Sequence, residues 1–247
     1  MQLAILGDIH GNLVALNAVV DEIRSQGVSV DQWLQVGDVV GYGPEPTACI
    51  ERLKELGARV CLGNHDAAVI GKLDTNYFND YARQAVEWTR RQLSPEDFAF
   101  LHELEYVVHG EDFTMVHGSL HEPPEFGYVI SPVEARASML RQDARICFVG
   151  HSHVPAVYME HEDAEELVTL YLAELETNVS AYRKVLLNVG SVGQPRDEDP
   201  RAAFALYDTE SGALSIRRVS YDIATVKEQI LGHGLPEVLA QRLDLGV

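Results

Sequence analysis

The feature that most constrains this chain is a join repeated along its length. Short apolar runs stop abruptly at a glycine or a histidine: "LAIL" at 3–6, "QWLQV" at 32–36, "ARVCL" at 58–62, "FTMV" at 113–116, "RICFV" at 145–149 and "KVLLNV" at 184–189. Runs this short, separated by helix-like stretches, predict an α/β fold. The residues just past the run ends are chemically pointed. Asp8 and His10 succeed the first run, Asp38 the second, Asn64 and His65 the third, His117 the fourth, and His151 and His153 the fifth. Ligands of open α/β sheets bind beyond the carboxyl ends of the strands. These residues, remote in sequence, are therefore expected to meet in one crevice.

The intervening stretches carry helix signals. Leu13, Leu16, Val20 and Ile23 mark one helical face, with Asn12 as its cap and Gly27 as its stop. "SPED" at Ser94 and "SPVE" at Ser131 each read as a cap, a proline in the first turn and an acid three residues on. "AAFALYD" and "ALSIRRVSYD" flank "TESG", which predicts an antiparallel hairpin, and "GLPEVLAQRL" predicts a last short helix. Nothing resembles an interdomain linker, so residues 1–247 are expected to form a single domain. Residues 160–176 hold seven acids and no Lys or Arg, which reads first as a solvated hairpin or loop insertion and otherwise as a lid or partner contact.

A formal charge of −19 argues against a nucleic-acid polymer or an anionic membrane as partner. No segment offers the ~20 apolar residues of a membrane span, and Asp8 breaks the apolar start too early for a signal peptide. A cytoplasmic protein is expected. Cys49, Cys61 and Cys147 form no closely spaced pair, so all three are expected to be reduced core residues.

The polar set at the run ends is Asp, His and Asn without thiolate. Imidazole and carboxylate suit Mn, Fe, Zn, Co or Ni, while the missing Cys argues against a structural zinc knot. Two ions would need a bridging ligand, and a carboxylate has two oxygens to offer. "GHSH" can direct one ring to each ion, and no protein nucleophile stands out: there is no G-x-S-x-G and no setting for a low-pKa cysteine.

These blocks, D-x-H, GD, GNH, H and GHxH, stand in order between residues 8 and 153. The chain thereby resembles the calcineurin-like metallophosphoesterases. The resemblance implies a four-layer αββα sandwich of two mixed sheets flanked by helices, and two divalent ions per chain, with manganese expected first and Fe, Zn, Ni or Co as alternatives. It implies that Asp8, His10 and His153 hold one ion, that Asn64, His117 and His151 hold the other, and that Asp38 bridges them. His65 would act on substrate, donating a proton to the leaving oxygen or steadying the phosphoryl charge. The segment "NVGSVGQPRD" and the stretch through the C-terminal "GLPEVLAQRL" are similar to a YfcE-like or diadenosine-tetraphosphatase-like phosphodiesterase branch. A small phosphodiester or nucleotide substrate is then expected, dinucleoside polyphosphates among them, with a phosphomonoester as the alternative.

Where protein phosphatases of the family read GDxVDRG, this chain reads "GDVVGYGP", so Gly41 and Tyr42 replace the acid and arginine. That departure weighs against a phosphoprotein substrate and leaves His65 without its usual orienting acid. Tyr42 reads as a packed loop residue or as a ring for a nucleobase. Arg196 reads as a contact to a distal phosphate or as a partner of nearby acids. His121, beyond His117, reads as a substrate contact or a surface residue. Asn12 reads first as a helix cap, and Asp66 as a cap or as the orienter of His65. His102, His109, His161 and His233 fall in no motif and read as ordinary core or surface residues. A catalytically silent scaffold would be expected to lack a ligand or His65, and a DNA nuclease to need a basic groove. The chain shows neither feature. Its oligomeric state is not readable from these residues.

Overall fold

The computed structural model describes residues 1–162 and 166–247. Two six-stranded mixed sheets face each other. The first runs β3 (Arg59–Val60), β2 (Gln32–Gln35), β1 (Gln2–Leu6), β11 (Ala202–Asp208), β12 (Ala213–Val219) and β9 (Leu175–Asn178). The second runs β4 (Val107–His109), β5 (Phe113–Val116), β6 (Ile146–Val149), β10 (Lys184–Asn188), β7 (Ala156–Glu160) and β8 (Val168–Leu170). Within each sheet three adjacent strands are parallel: β3, β2 and β1 in one, and β5, β6 and β10 in the other.

The apolar runs were short because each serves two faces. Leu3 and Ile5 of β1 enter the layer between the sheets, where they join Leu34, Met115, Ile146, Phe148, Val185 and Leu187. Ala4 and Leu6 turn the other way and pack under α1 (Leu13–Ser25) and α2 (Pro46–Glu55). This alternation is the period-2 geometry of a strand buried on both sides. The outer face of the second sheet is covered by α6 (Pro132–Met139), whose Ala135 and Met139 meet Val149 and Leu186. The four-layer sandwich expected from the motifs is the fold observed.

The helix signals hold in part. Asn12 Oδ1 accepts from the Ala15 N–H at 3.0 Å, and Gly27 takes φ +69 just beyond α1. In α5 (Pro95–Glu103), Ser94 and Asp97 form the reciprocal capping box. "SPVE" does not repeat it. Ser131 makes no side-chain cap, and Glu134 reaches past it to the Ile130 N–H at 2.9 Å. Two further helices, α3 (Asn64–Val69) and α4 (Asp80–Gln92), fill the stretch before α5. The last two, α7 (Ile223–Gly232) and α8 (Glu237–Leu245), pack on α4.

The expected hairpin of β11 and β12 is antiparallel through "TESG". In the acidic segment, residues 163–165 lie outside the described residues. On either side of them β7 and β8 pair antiparallel, and the chain then crosses to the first sheet as β9. The three cysteines are buried and unpaired, and burial pushes each thiol upward. Among the described residues no helix is long and apolar enough to cross a membrane.

Candidate functional site

The parallel halves of the two sheets point their carboxyl ends the same way, and the loops that leave β1, β2, β3, β5 and β6 meet there. Asp8, His10, Asp38 and His153 bring one donor atom each within 4.8 Å of one another, and Asp38, His117 and His151 do the same beside them. Asp38 belongs to both groups. Its Oδ2 lies 3.5 Å from His10 Nε2 and 3.3 Å from His117 Nε2. Asp8 Oδ1 lies 3.3 Å from His153 Nε2, and Asn64 Oδ1 lies 2.9 Å from His117 Nε2.

The turns that achieve this are strained. Asp8, His10, Asp38, His151 and His153 all have φ between 49 and 68, the left-handed region that non-glycine residues avoid. Each such residue costs on the order of 1–3 kcal/mol and persists only where its surroundings hold it. The loops hold each other. His10 N–H donates to Asp38 O at 2.9 Å, Asp8 N–H to Gly37 O at 3.2 Å, and Gly150 N–H to His117 O at 2.9 Å. Gly63 is required by contact: a Cβ there would stand 2.2 Å from Asp38 Oδ1.

The rings are set by carbonyl groups. Nδ1 of His10 faces Val40 O at 3.1 Å, that of His117 faces Val36 O at 2.8 Å, and that of His153 faces Gln194 O at 2.5 Å. A carbonyl only accepts, so each Nδ1 carries a proton and, in the neutral ring, Nε2 presents a lone pair to the cluster. That leaves His10 Nε2 and His153 Nε2 only 3.1 Å apart, and His117 Nε2 and His151 Nδ1 likewise 3.1 Å apart. Buried acceptors that crowd this way fit a cation between them, and carbonyl groups behind metal-binding histidines are the usual supporting arrangement. Burial drives His10, His151 and His153 to the neutral form. His117 goes the other way: burial opposes its charge, but the carboxylates of Asp38 and Asp8 raise it to about 9. A cation would have to displace that proton.

Asp66 caps the head of α3, as one of its two readings has it, and holds more than that turn. Its Oδ2 accepts from the N–H groups of Asp38 at 2.8 Å, Gly63 at 3.1 Å and Val39 at 3.3 Å, and its Oδ1 accepts from Val40 at 3.1 Å. One buried carboxylate thus clamps the Asp38 turn, including the residue whose carbonyl aims His10, to the head of α3. It neither orients His65 nor points into the crevice. Asp66→Asn would set an NH₂ against some of those N–H groups. Metal affinity should fall by ~10–100-fold, the usual scale for groups that support metal ligands. A competitive chelator titration measures it, and an affinity within twofold of wild type would refute this role.

His65 sits above the cluster, its own N–H donating to Asp38 Oδ1 at 2.8 Å. Among the described residues no carboxylate pairs with its ring. Nδ1 is buried and without a partner among the described residues, and the ring is held by tilted contacts with Tyr42 at 4.4 Å and Phe78 at 5.0 Å and an edge-on contact with His10 at 4.9 Å between centroids. Gly41 touches it from behind, since a Cβ there would meet Nδ1 at 2.6 Å. Burial pushes His65 down to about 4, with Asp38 opposing.

A cleft of about 600 Å³ opens over the cluster, lined by Asn64, His65, Tyr77, Phe78, Phe126, Tyr128, His151, His153 and Arg196 among others. Three expected contacts now divide. Arg196 lines the cleft, makes no ion pair with a carboxylate among the described residues, donates to Gln194 Oε1 at 3.1 Å and lies over the Tyr42 ring at 5.8 Å. Tyr42 borders the cleft but is only 6% exposed, wedged between His10, His65 and Arg196, which fits its reading as a packed loop residue. His121 is exposed and does not line the cleft; its loop contributes Phe126 and Tyr128 instead. Asn12, besides capping α1, donates to Gly193 O at 3.0 Å and so ties the "GSVG" turn to the site.

Comparison with known proteins agrees with this geometry. Residues 1–212 match the family described as "Calcineurin-like phosphoesterase superfamily domain". An uncharacterized protein of Methanocaldococcus jannaschii is 35% identical over 248 residues, which covers 99% of this chain and 98% of that protein. The crystal structure of a metallophosphoesterase from Sphaerobacter thermophilus superposes with a TM-score of 0.87 at 38% identity, covering 100% of this chain and 99% of the other. A symmetrical bis(5′-nucleosyl)-tetraphosphatase of Pectobacterium carotovorum is 31% identical over 106 residues, 37% of either chain.

Proposed function

We propose that this chain, which belongs to the calcineurin-like phosphoesterase superfamily and is a metal-dependent phosphoric ester hydrolase, cleaves small phosphodiesters or nucleotides with two divalent ions. The observation that carries this reading is the shared Asp38: its Oδ2 faces both groups of donor atoms. Asp8, His10 and His153 would hold the first ion, and Asn64, His117 and His151 the second. Asp38 would serve both, its Oδ2 facing the two groups while its Oδ1 accepts from the His65 N–H. Such ions supply Lewis acidity, making water a nucleophile at neutral pH and offsetting phosphoryl charge.

The rest falls to the chain itself. Asn64 and His65, adjacent at the head of α3, face the same cleft, so the reacting phosphoryl group would lie between the cluster and the His65 ring. Arg196, with its Nε buried and unpartnered, would hold a phosphoryl oxygen from the opposite side. The partial match to a named tetraphosphatase supports a nucleotide substrate but spans little more than a third of that protein. Gly41 and Tyr42, standing where an acid and an arginine would be, weigh against phosphoproteins. The test is a screen of manganese-loaded protein against phosphodiesters, cyclic nucleotides, dinucleoside polyphosphates, phosphomonoesters and phosphopeptides. Diester turnover that a chelator abolishes and manganese restores is expected; fastest turnover of phosphopeptides would refute the reading.

A further inference from the structure

The cleft has two walls, one beginning at His65 and the other at His117 and His151 of the cluster. On one, Phe78 packs on His65 with centroids 5.0 Å apart, and Tyr77 stands next to it at the rim, 95% exposed. On the other, Phe126 lies edge-on to His117 at 5.9 Å, while Tyr128 stacks on His151 at 3.9 Å and 15° and remains half exposed. Tyr77 stands on a single 3₁₀ turn, Thr75–Tyr77, whose start is capped by Asp74 through the Asn76 N–H. A side chain this exposed makes no contribution to the core, yet it borders the same cavity as Asn64 and His65.

The charges of the cleft lead the same way. Outside the Asp and His cluster, its charged lining among the described residues is Arg196 against Asp74 and Glu125, one cation to two carboxylates. Arg196 is drawn inward over Tyr42 and lies beside the Tyr128 hydroxyl. A phosphate placed farther out would meet the carboxylates of the rim without a cation of its own, an arrangement that like charge penalises. A flat neutral ring meets two aromatic surfaces there instead.

We propose that, in a phosphodiesterase of the kind inferred above, the outer cleft between Tyr77 and Tyr128 takes the nucleobase or other flat ring of a substrate with one phosphoryl group, and has no subsite for a second phosphate. Tyr77 is then a specificity-determining residue, Arg196 serves the reacting phosphoryl group, and chains of phosphates are poor substrates.

Steady-state kinetics on the manganese-loaded full chain test this with three substrates: the methyl ester of adenosine 5′-phosphate, the methyl ester of ribose 5-phosphate, and diadenosine tetraphosphate. The first two are the same diester with and without the base. The adenosine ester should exceed the ribose ester in kcat/KM by ~10-fold or more, the scale of base–aromatic stacking, and should exceed the tetraphosphate as well. Tyr77→Ala should raise KM for the adenosine ester by about 10-fold and affect the ribose ester far less. Glu125→Lys, a change at an exposed position, should improve the tetraphosphate relative to both esters. Wild-type preference for the tetraphosphate, or an equal effect of Tyr77→Ala on both esters, would overturn the proposal. Turnover of none of the three would overturn the phosphodiesterase reading and this proposal with it.

Discussion

Replacing Asp38 with alanine should empty both metal positions at once. Other ligand candidates stand in one group of donor atoms, whereas Asp38 stands in both and lies within 3.5 Å of a histidine nitrogen from each. Its loss also frees the His65 N–H that Oδ1 holds. Metal analysis after gel filtration should fall from about two ions per chain toward none, and turnover should drop by at least ~10²–10³, the effect of losing one strong electrostatic stabiliser. His10→Ala is the control: it removes one donor from one group and should leave the other position filled. A protein that keeps one tightly held ion without Asp38 would show that the two positions are independent. The fold should survive the change. Metal-free Asp38 is kept ionised against burial chiefly by His117, whose own proton it helps to hold; without Asp38 the His117 ring can shed that proton, which avoids an unpaired buried charge.

The sequence carried the site further than it carried the scaffold. Residues at strand ends were readable because each apolar run stops at a polar group with no place in a core, and the structure brings Asp8, His10, Asp38, Asn64, His117, His151 and His153 together. The left-handed turns that aim them were not readable, since nothing in Asp8 or His153 advertises a positive φ; neighbouring loops impose it. The clamp formed by Asp66 was hidden for a related reason: its four partners are backbone N–H groups, which every residue except proline has. Helix α4 escaped notice because its buried face is Ala82, Ala85, Val86, Trp88 and Thr89, mostly small residues without an aliphatic stripe. Strands β8 and β9 are short and half exposed, so they lack the apolar run that marked the central strands. Tyr42, inside a motif, is packed, which was one of its two readings, whereas Tyr77 lies in no motif and nothing in the sequence marked it as exposed.

His65→Ala should separate chemistry from metal binding. The ring offers no nitrogen to either group of donor atoms, and it stands above them among Tyr42, His10 and Phe78. Metal content should therefore stay near that of the wild type while kcat falls by ~10²–10⁴, the range for a lost proton donor or acceptor. The surroundings also say how His65 works. Among the described residues no carboxylate pairs with its ring and Nδ1 has no partner, and burial pushes the imidazole down to about 4. Near neutral pH it is an uncharged ring with one N–H to give. It would thus steady charge on the phosphoryl group or leaving oxygen by donating a hydrogen bond, more than by delivering a proton. An amide side chain can do the same. His65→Asn should recover at least ~10-fold of the rate lost in His65→Ala, in line with the worth of one well-placed donor to a developing charge. If asparagine and alanine are equally poor while both variants keep their metal, proton transfer by His65 is the better account. If both variants lose the metal, His65 belongs with the ligands.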